Sequence, residues 1–256
     1  MINELAGLIK EQNLLLHQYS GISVVTVEDQ QKGFDVASNI LFSIVDKRSV
    51  LYLSGGKTPK ELYAKLAKEE ILTPGAVGLV DERYGPRLHA DSNEKMIQDA
   101  GFLRYLEMLD IPFYPILQKE LSREETAAEY DGKLRSLQST FPKHVGILGI
   151  GEDGHTAGIP AGSQKSKVKS QKSDIYNTTD LVTEYNDTSG KYGERVTMTF
   201  MGLAMLDILL VLVFGSAKRD SLKLVFSEGL EEEVPGRFYK RPEIARKTLL
   251  ITDQEI

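Results

Sequence analysis

Residues 144–162 read HVGILGIGEDGHTAGIPAG, and the fold turns on how this stretch is read. HVGIL predicts a buried strand, and Gly149-Ile150-Gly151-Glu152-Asp153-Gly154 spells G-x-G-x-x-G. After a strand, that pattern marks a dinucleotide-binding turn only if a helix opens at the third glycine and faces the pyrophosphate. Here His155-Thr156-Ala157-Gly158-Ile159-Pro160-Ala161-Gly162 follows. Two glycines and a proline oppose a helix of the usual length. Glu152 and Asp153 would also set two negative charges beside an anionic cofactor. The stretch therefore predicts a strand and a glycine-shaped loop that presents a histidine, and not a dinucleotide-binding turn.

Working outward, short apolar runs rich in β-branched residues alternate with helical patterns. The strand candidates are 23–27, 49–53, 77–81, 113–117, 144–149, 195–200, 208–214 and 248–252. Several are apolar at nearly every position, as expected of strands covered on both faces. Between them stand helix-start signals. Thr58-Pro59-Lys60-Glu61 reads as a capping box with proline at the first helical position. Ser122-Arg123-Glu124-Glu125 reads as a second, opening a helix to about Leu137, and Asp91-Ser92-Asn93-Glu94 offers a third. This alternation predicts an α/β fold: a single Rossmann-like doubly wound domain over 1–256, with a mostly parallel sheet flanked by helices. Residues 163–193, rich in Ser, Lys, Thr and Asn, break the rhythm. They read as a polar surface excursion, or as a lid.

Composition narrows the function classes. The chain of 256 residues has a net charge of -6, which argues against a nucleic-acid or anionic-membrane partner. It has no cysteine, which excludes disulfides, thiolate nucleophiles and cysteine-ligated zinc. Four histidines are present, and His17, His89 and His144 show no ligand spacing with His155, so no metal is expected. The first twenty residues carry Glu4 and Glu11 and read as an amphipathic helix, not a signal peptide. The run 208–214 is too short to cross a bilayer. The expectation is a cytoplasmic protein, either a monomer or a small homo-oligomer.

Chemistry concentrates where strands end. After Leu53, Ser54-Gly55-Gly56-Lys57-Thr58 leads into a helix. Glycines permit close approach, and free helix-start amides favour an anion such as phosphate. The alternative is a simple tight turn. Asp81-Glu82-Arg83 reads either as a salt-bridged strand end or as groups facing a ligand. Asp153, two residues before His155, suits a carboxylate that fixes the imidazole tautomer and raises its basicity for general-base work. Lys218 falls just after a strand and glycine turn, as either an anion contact or a solvated lysine. There is no G-x-S-x-G nucleophile elbow.

LSGGKTP, VDER followed by DSNEKM, GIGEDGHTAG, RVTMTF and VFGSAKRDSL occur in the order and spacing of the 6-phosphogluconolactonases, and the chain resembles that family from about residue 23 to 225. The wider group includes the glucosamine-6-phosphate deaminases. The resemblance implies a Rossmann-like fold, no metal and no organic cofactor. It implies hydrolysis of 6-phospho-D-glucono-1,5-lactone to 6-phosphogluconate in the oxidative pentose phosphate pathway. By the same resemblance, Ser54, Gly55, Gly56 and Thr58 match the phosphate loop, with Lys57 among them, and Lys218 matches the assisting lysine. His155 matches the water-activating histidine, Asp153 the acid before it, and Arg83 the arginine that faces the substrate.

The resemblance departs after the histidine. The lactonases continue T-A-S-L-F-P-G, whereas this chain runs Thr156-Ala157-Gly158-Ile159-Pro160-Ala161-Gly162. Lys57 also stands where a small polar residue is usual. The deaminase alternative carries a glutamate where Pro160 stands and D-E-Y where Asp81-Glu82-Arg83 stands. A non-catalytic sugar-phosphate binding protein is the third alternative.

Overall fold

Four runs of residues are buried on both faces and form the middle of a sheet. The computed structural model describes residues 14–118, 120–162, 175–187 and 193–255, together with Gly7 and Ile9. Its strands are β1 Leu16–Tyr19, β2 Ile22–Thr26, β3 Ser49–Leu53, β4 Ala76–Leu79, β5 Asp81–Arg83, β6 Phe113–Tyr114, β7 Lys143–Gly149, β8 Val182–Asp187, β9 Gly193–Met198, β10 Ile208–Val213 and β11 Thr248–Thr252. Among the described residues, eight of them form one sheet in the order β1-β2-β11-β10-β7-β3-β4-β6. Every pairing in it is parallel except β1 with β2. Helices flank the sheet. The helix Gln30–Ile44 buries Phe34, Ala37, Leu41 and Ile44 at three- and four-residue spacing, and Asp29 caps it through the Lys32 N–H at 2.8 Å.

The strand order reverses between β3 and β7. The chain winds outward from β3 through β4 to β6, then returns to add β7 on β3's other side. Ligands of open α/β sheets bind at the carboxyl ends of strands at such a switch point. Ser54 and Gly149 leave the sheet there side by side, with the Ser54 N–H bonded to the Ile147 carbonyl at 3.2 Å.

Three expectations are corrected. The expected strand 77–81 is two strands in two sheets. Val80 donates its N–H to Leu53 in the main sheet and accepts the N–H of Met198, so the chain crosses over at this residue. Beyond it β5 joins a three-stranded antiparallel sheet, ordered β5-β9-β8. The run 195–200 contributes β9 to that second sheet. The polar excursion 163–193 also holds structure: Ile175 and Tyr176 are buried and β8 lies within it, whereas 163–174 and 188–192 fall outside the described residues. Finally, part of the expected N-terminal helix is a strand. Ser20 and Gly21 have φ of 50° and 81°, a two-residue hairpin turn that folds β1 back on β2. Residues 1–6, 8 and 10–13 lie outside the described set.

The crossover leaves Leu79 without a strand on one side, because β6 pairs only with Val77 and Gly78. Tyr130, from the helix Arg123–Thr140, replaces the missing partner. Its hydroxyl donates to the Leu79 carbonyl at 2.8 Å and accepts the Leu79 N–H at 2.6 Å. Tyr130→Phe strands two buried backbone groups, and each orphan costs roughly 1–3 kcal/mol. We expect denaturant unfolding to register a loss in that range or above; an unchanged midpoint would show that water takes over the role.

Candidate active site

Four strand ends supply one cavity of about 350 Å³. The β3 end contributes Ser54, Gly55, Gly56, Lys57 and Thr58. Ser54 is buried, and its Oγ has no hydrogen-bond partner among the described residues. The helix starts earlier than the Thr58 capping box predicts. It spans Lys57–Glu69 with Gly56 at the cap position, φ 112°, and no side chain caps it. Thr58 therefore sits inside the first turn beside the cavity, and the leading amides have no side-chain acceptor. Gly55 is required by close approach: a Cβ there would lie 1.9 Å from Asn93 Oδ1.

Beside it, β5 places Asp81 and Arg83 on the wall. The strand end is not the internal salt bridge that its three charges suggest. Arg83 Nη1 donates to the Asp91 carbonyl at 2.7 Å and to Asn93 Oδ1 at 3.3 Å, so neutral oxygens hold it. Asp81 pairs with Arg195 of β9 at 3.4 Å. Arg83 and Arg195 are directly opposed across the antiparallel pair, and both line the cavity. Like charges in that relation repel.

The β7 end carries His155. Its Nδ1 lies 2.5 Å from Asp153 Oδ1, and its N–H reaches the same oxygen at 3.2 Å. His155 lines the cavity; Asp153 stands behind it, off the wall. The glycines serve this imidazole. A Cβ on Gly151 would fall 2.0 Å from His155 Cε1 and Nδ1, and Gly154 turns the chain with φ 81°. No helix follows. Thr156 instead ties the loop down, its hydroxyl bonded to the Gly149 carbonyl at 3.0 Å and to the Tyr239 hydroxyl at 2.6 Å. The unusual Gly158-Ile159-Pro160 run is anchored too. The Gly158 N–H reaches Thr197 Oγ1 at 2.9 Å, Ile159 is fully buried, and the Pro160 carbonyl accepts from Tyr176 at 2.6 Å.

The β10 end brings Lys218, which closes a 3-10 turn, Ser216–Lys218, immediately ahead of the helix Arg219–Phe226. Its Nζ donates to the Ile150 carbonyl at 2.8 Å. Burial lowers its pKa, opposed by the negative charges of Glu152 and Asp153.

The cavity thus gathers Ser54, Gly55, Gly56, Lys57 and Thr58 with Arg83, His155 and Lys218, and Asp153 touches it through His155. Sequence reasoning missed Arg195 and Asn93, and took Asp81 only as part of a charged strand end. Nothing within RVTMTF marks Arg195 for the cavity: it is half-buried, and Val196, Thr197 and Met198 after it are all buried. With Lys57 and Lys218 added to the arginines, four cations and one carboxylate line the cavity among the described residues, in a chain of net charge -6. Among the described residues no group of three or more His, Asp and Glu side chains is placed to hold a metal, and no helix is long and apolar enough to cross a membrane.

The sequence profile of the glucosamine-6-phosphate isomerases/6-phosphogluconolactonase family matches residues 35–249. The chain is 30% identical over 206 residues to a 6-phosphogluconolactonase of Rhizobium meliloti, covering 79% of this chain and 84% of that one. It is 30% identical over 197 residues to one of Chlamydia pneumoniae, covering 74% and 70%. In fold it is similar to the 6-phosphogluconolactonase from Plasmodium vivax, with a TM-score of 0.74 at 17% identity, over 99% of this chain and 96% of that one.

Proposed function

Because the chain belongs to the glucosamine-6-phosphate isomerase/6-phosphogluconolactonase family, we propose that it hydrolyses 6-phospho-D-glucono-1,5-lactone to 6-phosphogluconate, the lactone-opening step of the oxidative pentose phosphate pathway. One observation carries this reading: an imidazole, bonded at 2.5 Å to a carboxylate behind it, shares a cavity with four cations and an uncapped helix start.

The proposed roles follow from the chemistry of each wall. Asp153 accepts from Nδ1–H, which makes Nε2 the basic nitrogen. Nε2 takes a proton from water as the water oxygen attacks the lactone carbonyl carbon. The developing oxyanion is met by the Arg83 guanidinium, whose charge no carboxylate neutralises among the described residues. Collapse breaks the bond from that carbon to the ring oxygen, and the imidazolium returns its proton to the leaving alkoxide. The phosphate sits on the amides and hydroxyls of Ser54, Gly55, Gly56 and Thr58, with Lys57, Lys218 and Arg195 supplying charge.

The phosphate wall acts by binding and orientation, which fixes its signature. Loss of a charge-assisted contact costs about 1.5–3 kcal/mol. Lys218→Ala should therefore raise KM by roughly 10- to 100-fold and leave kcat within a few-fold. Unphosphorylated glucono-1,5-lactone should be a poor substrate for the wild type and be handled alike by Lys218→Ala. A fall in kcat at unchanged KM would contradict the assignment of Lys218 to phosphate.

A further inference from the structure

Glu82 is fully buried, yet it lines no part of the cavity and makes no salt bridge among the described residues. Its carboxylate is held by three backbone N–H groups. Oε1 accepts from Arg83 at 2.7 Å and from Asn93 at 2.7 Å, and Oε2 accepts from Glu94 at 2.9 Å. Burying a carboxylate without a cation is expensive. Burial pushes this one up to about 7, against the pull of the three N–H groups and with the Asp81 charge adding to the rise. Helix capping alone does not account for it. The helix Asn93–Asp99 already has a local cap in Ser92, whose hydroxyl accepts the Lys95 N–H at 2.8 Å. What Glu82 adds is a tie between that helix and β5.

The tie reaches the cavity by two routes. One is direct, through the Arg83 backbone. The other runs through Asn93, a buried side chain whose Nδ2 donates to the Asp81 carbonyl at 2.8 Å and whose Oδ1 accepts from Arg83 Nη1. We propose that Glu82 is a positioning residue: its carboxylate locks the start of the helix to the end of β5 and so fixes where the Arg83 guanidinium meets the substrate. This inference rests on the proposed role of Arg83.

Glu82→Gln tests it, because the shape is kept while an NH2 group now faces at least one N–H donor. In the otherwise native chain, kcat/KM for the phosphorylated lactone should fall roughly tenfold or more, mainly in kcat. In an Arg83→Ala background the same change should cost less than about threefold, since the side chain it positions is gone. Ser92→Ala, which weakens the same helix, should lower the melting temperature and leave kcat/KM of the folded protein unchanged. Should Glu82→Gln not fold, Glu82→Asp, which keeps the charge and loses reach, goes through the same cycle. Equal losses in both backgrounds, or an equal loss in Ser92→Ala, would overturn the positioning role alone. Full activity of Arg83→Ala would overturn the role of Arg83, and this inference with it.

Discussion

His155→Ala is expected to lower kcat for the phosphorylated lactone by about 10²–10⁴-fold, the range of a lost general base. That is roughly 3–5.5 kcal/mol of barrier. KM should change little, because the cations and helix start proposed to hold the phosphate come from other strand ends. The fold should survive, since the imidazole is part-exposed and the loop is held through Thr156 and Gly158. Asp153→Asn separates basicity from mere presence of the ring. An amide at that position can offer an N–H to Nδ1, which puts the ring proton on Nε2 and removes the base. Its loss should therefore approach that of His155→Ala. Steady-state kinetics on folded variants, corrected for spontaneous hydrolysis, checks both. An Asp153→Asn variant within a few-fold of wild type would show that the carboxylate does not set the tautomer.

Gly151→Ala is expected to cost kcat nearly as much, although it removes no functional group. The added methyl would lie 2.0 Å from two atoms of the imidazole, far inside contact distance. Gly151 is not among the residues with positive φ, so alanine adopts its backbone conformation without strain. The ring must move, and the 2.5 Å bond to Asp153 breaks with it. A misplacement of about 1 Å at a reacting group costs roughly 10²-fold. Phosphate binding should persist, seen as competitive inhibition by inorganic phosphate at an unchanged inhibition constant. Wild-type turnover in Gly151→Ala would mean that the imidazole is not held where its contacts place it.

How far the sequence disclosed this site follows from what each residue answers to. β3 and β11 are legible to the residue, because strands covered on both faces carry a nearly continuous apolar run, VLYL and LLI here, with sharp bounds. The pairing of Asp153 with His155 was legible because the two are close in sequence. The crossover at Val80 was not, since VGLVDER has no break in its apolar run; what ends β4 is the arrival of β9, about 115 residues downstream by the register of Asp81 on Thr197. The same tertiary pairing hid Arg195, which reaches the cavity only because β9 lies against β5. β8 reads as surface in the sequence because its residues are polar, yet Thr183 and Glu184 are buried, and Glu184 pairs with Arg123 at the start of the helix Arg123–Thr140. The Thr58 capping box was misread for a local reason: Gly56 adopts a φ closed to other residues and starts the helix two positions early. That shift frees the Thr58 hydroxyl for the cavity.

The central claim is that one cavity joins a sugar-phosphate cradle to a water-activating imidazole, and the most direct measurement is turnover by the wild-type protein itself. Freshly prepared 6-phosphogluconolactone and, separately, glucosamine 6-phosphate are supplied, with acid release followed in the first and ammonia in the second. Acid release far above the spontaneous rate and no ammonia are expected. Ammonia from the amino sugar, or binding of both compounds with no turnover of the lactone, would contradict the central claim.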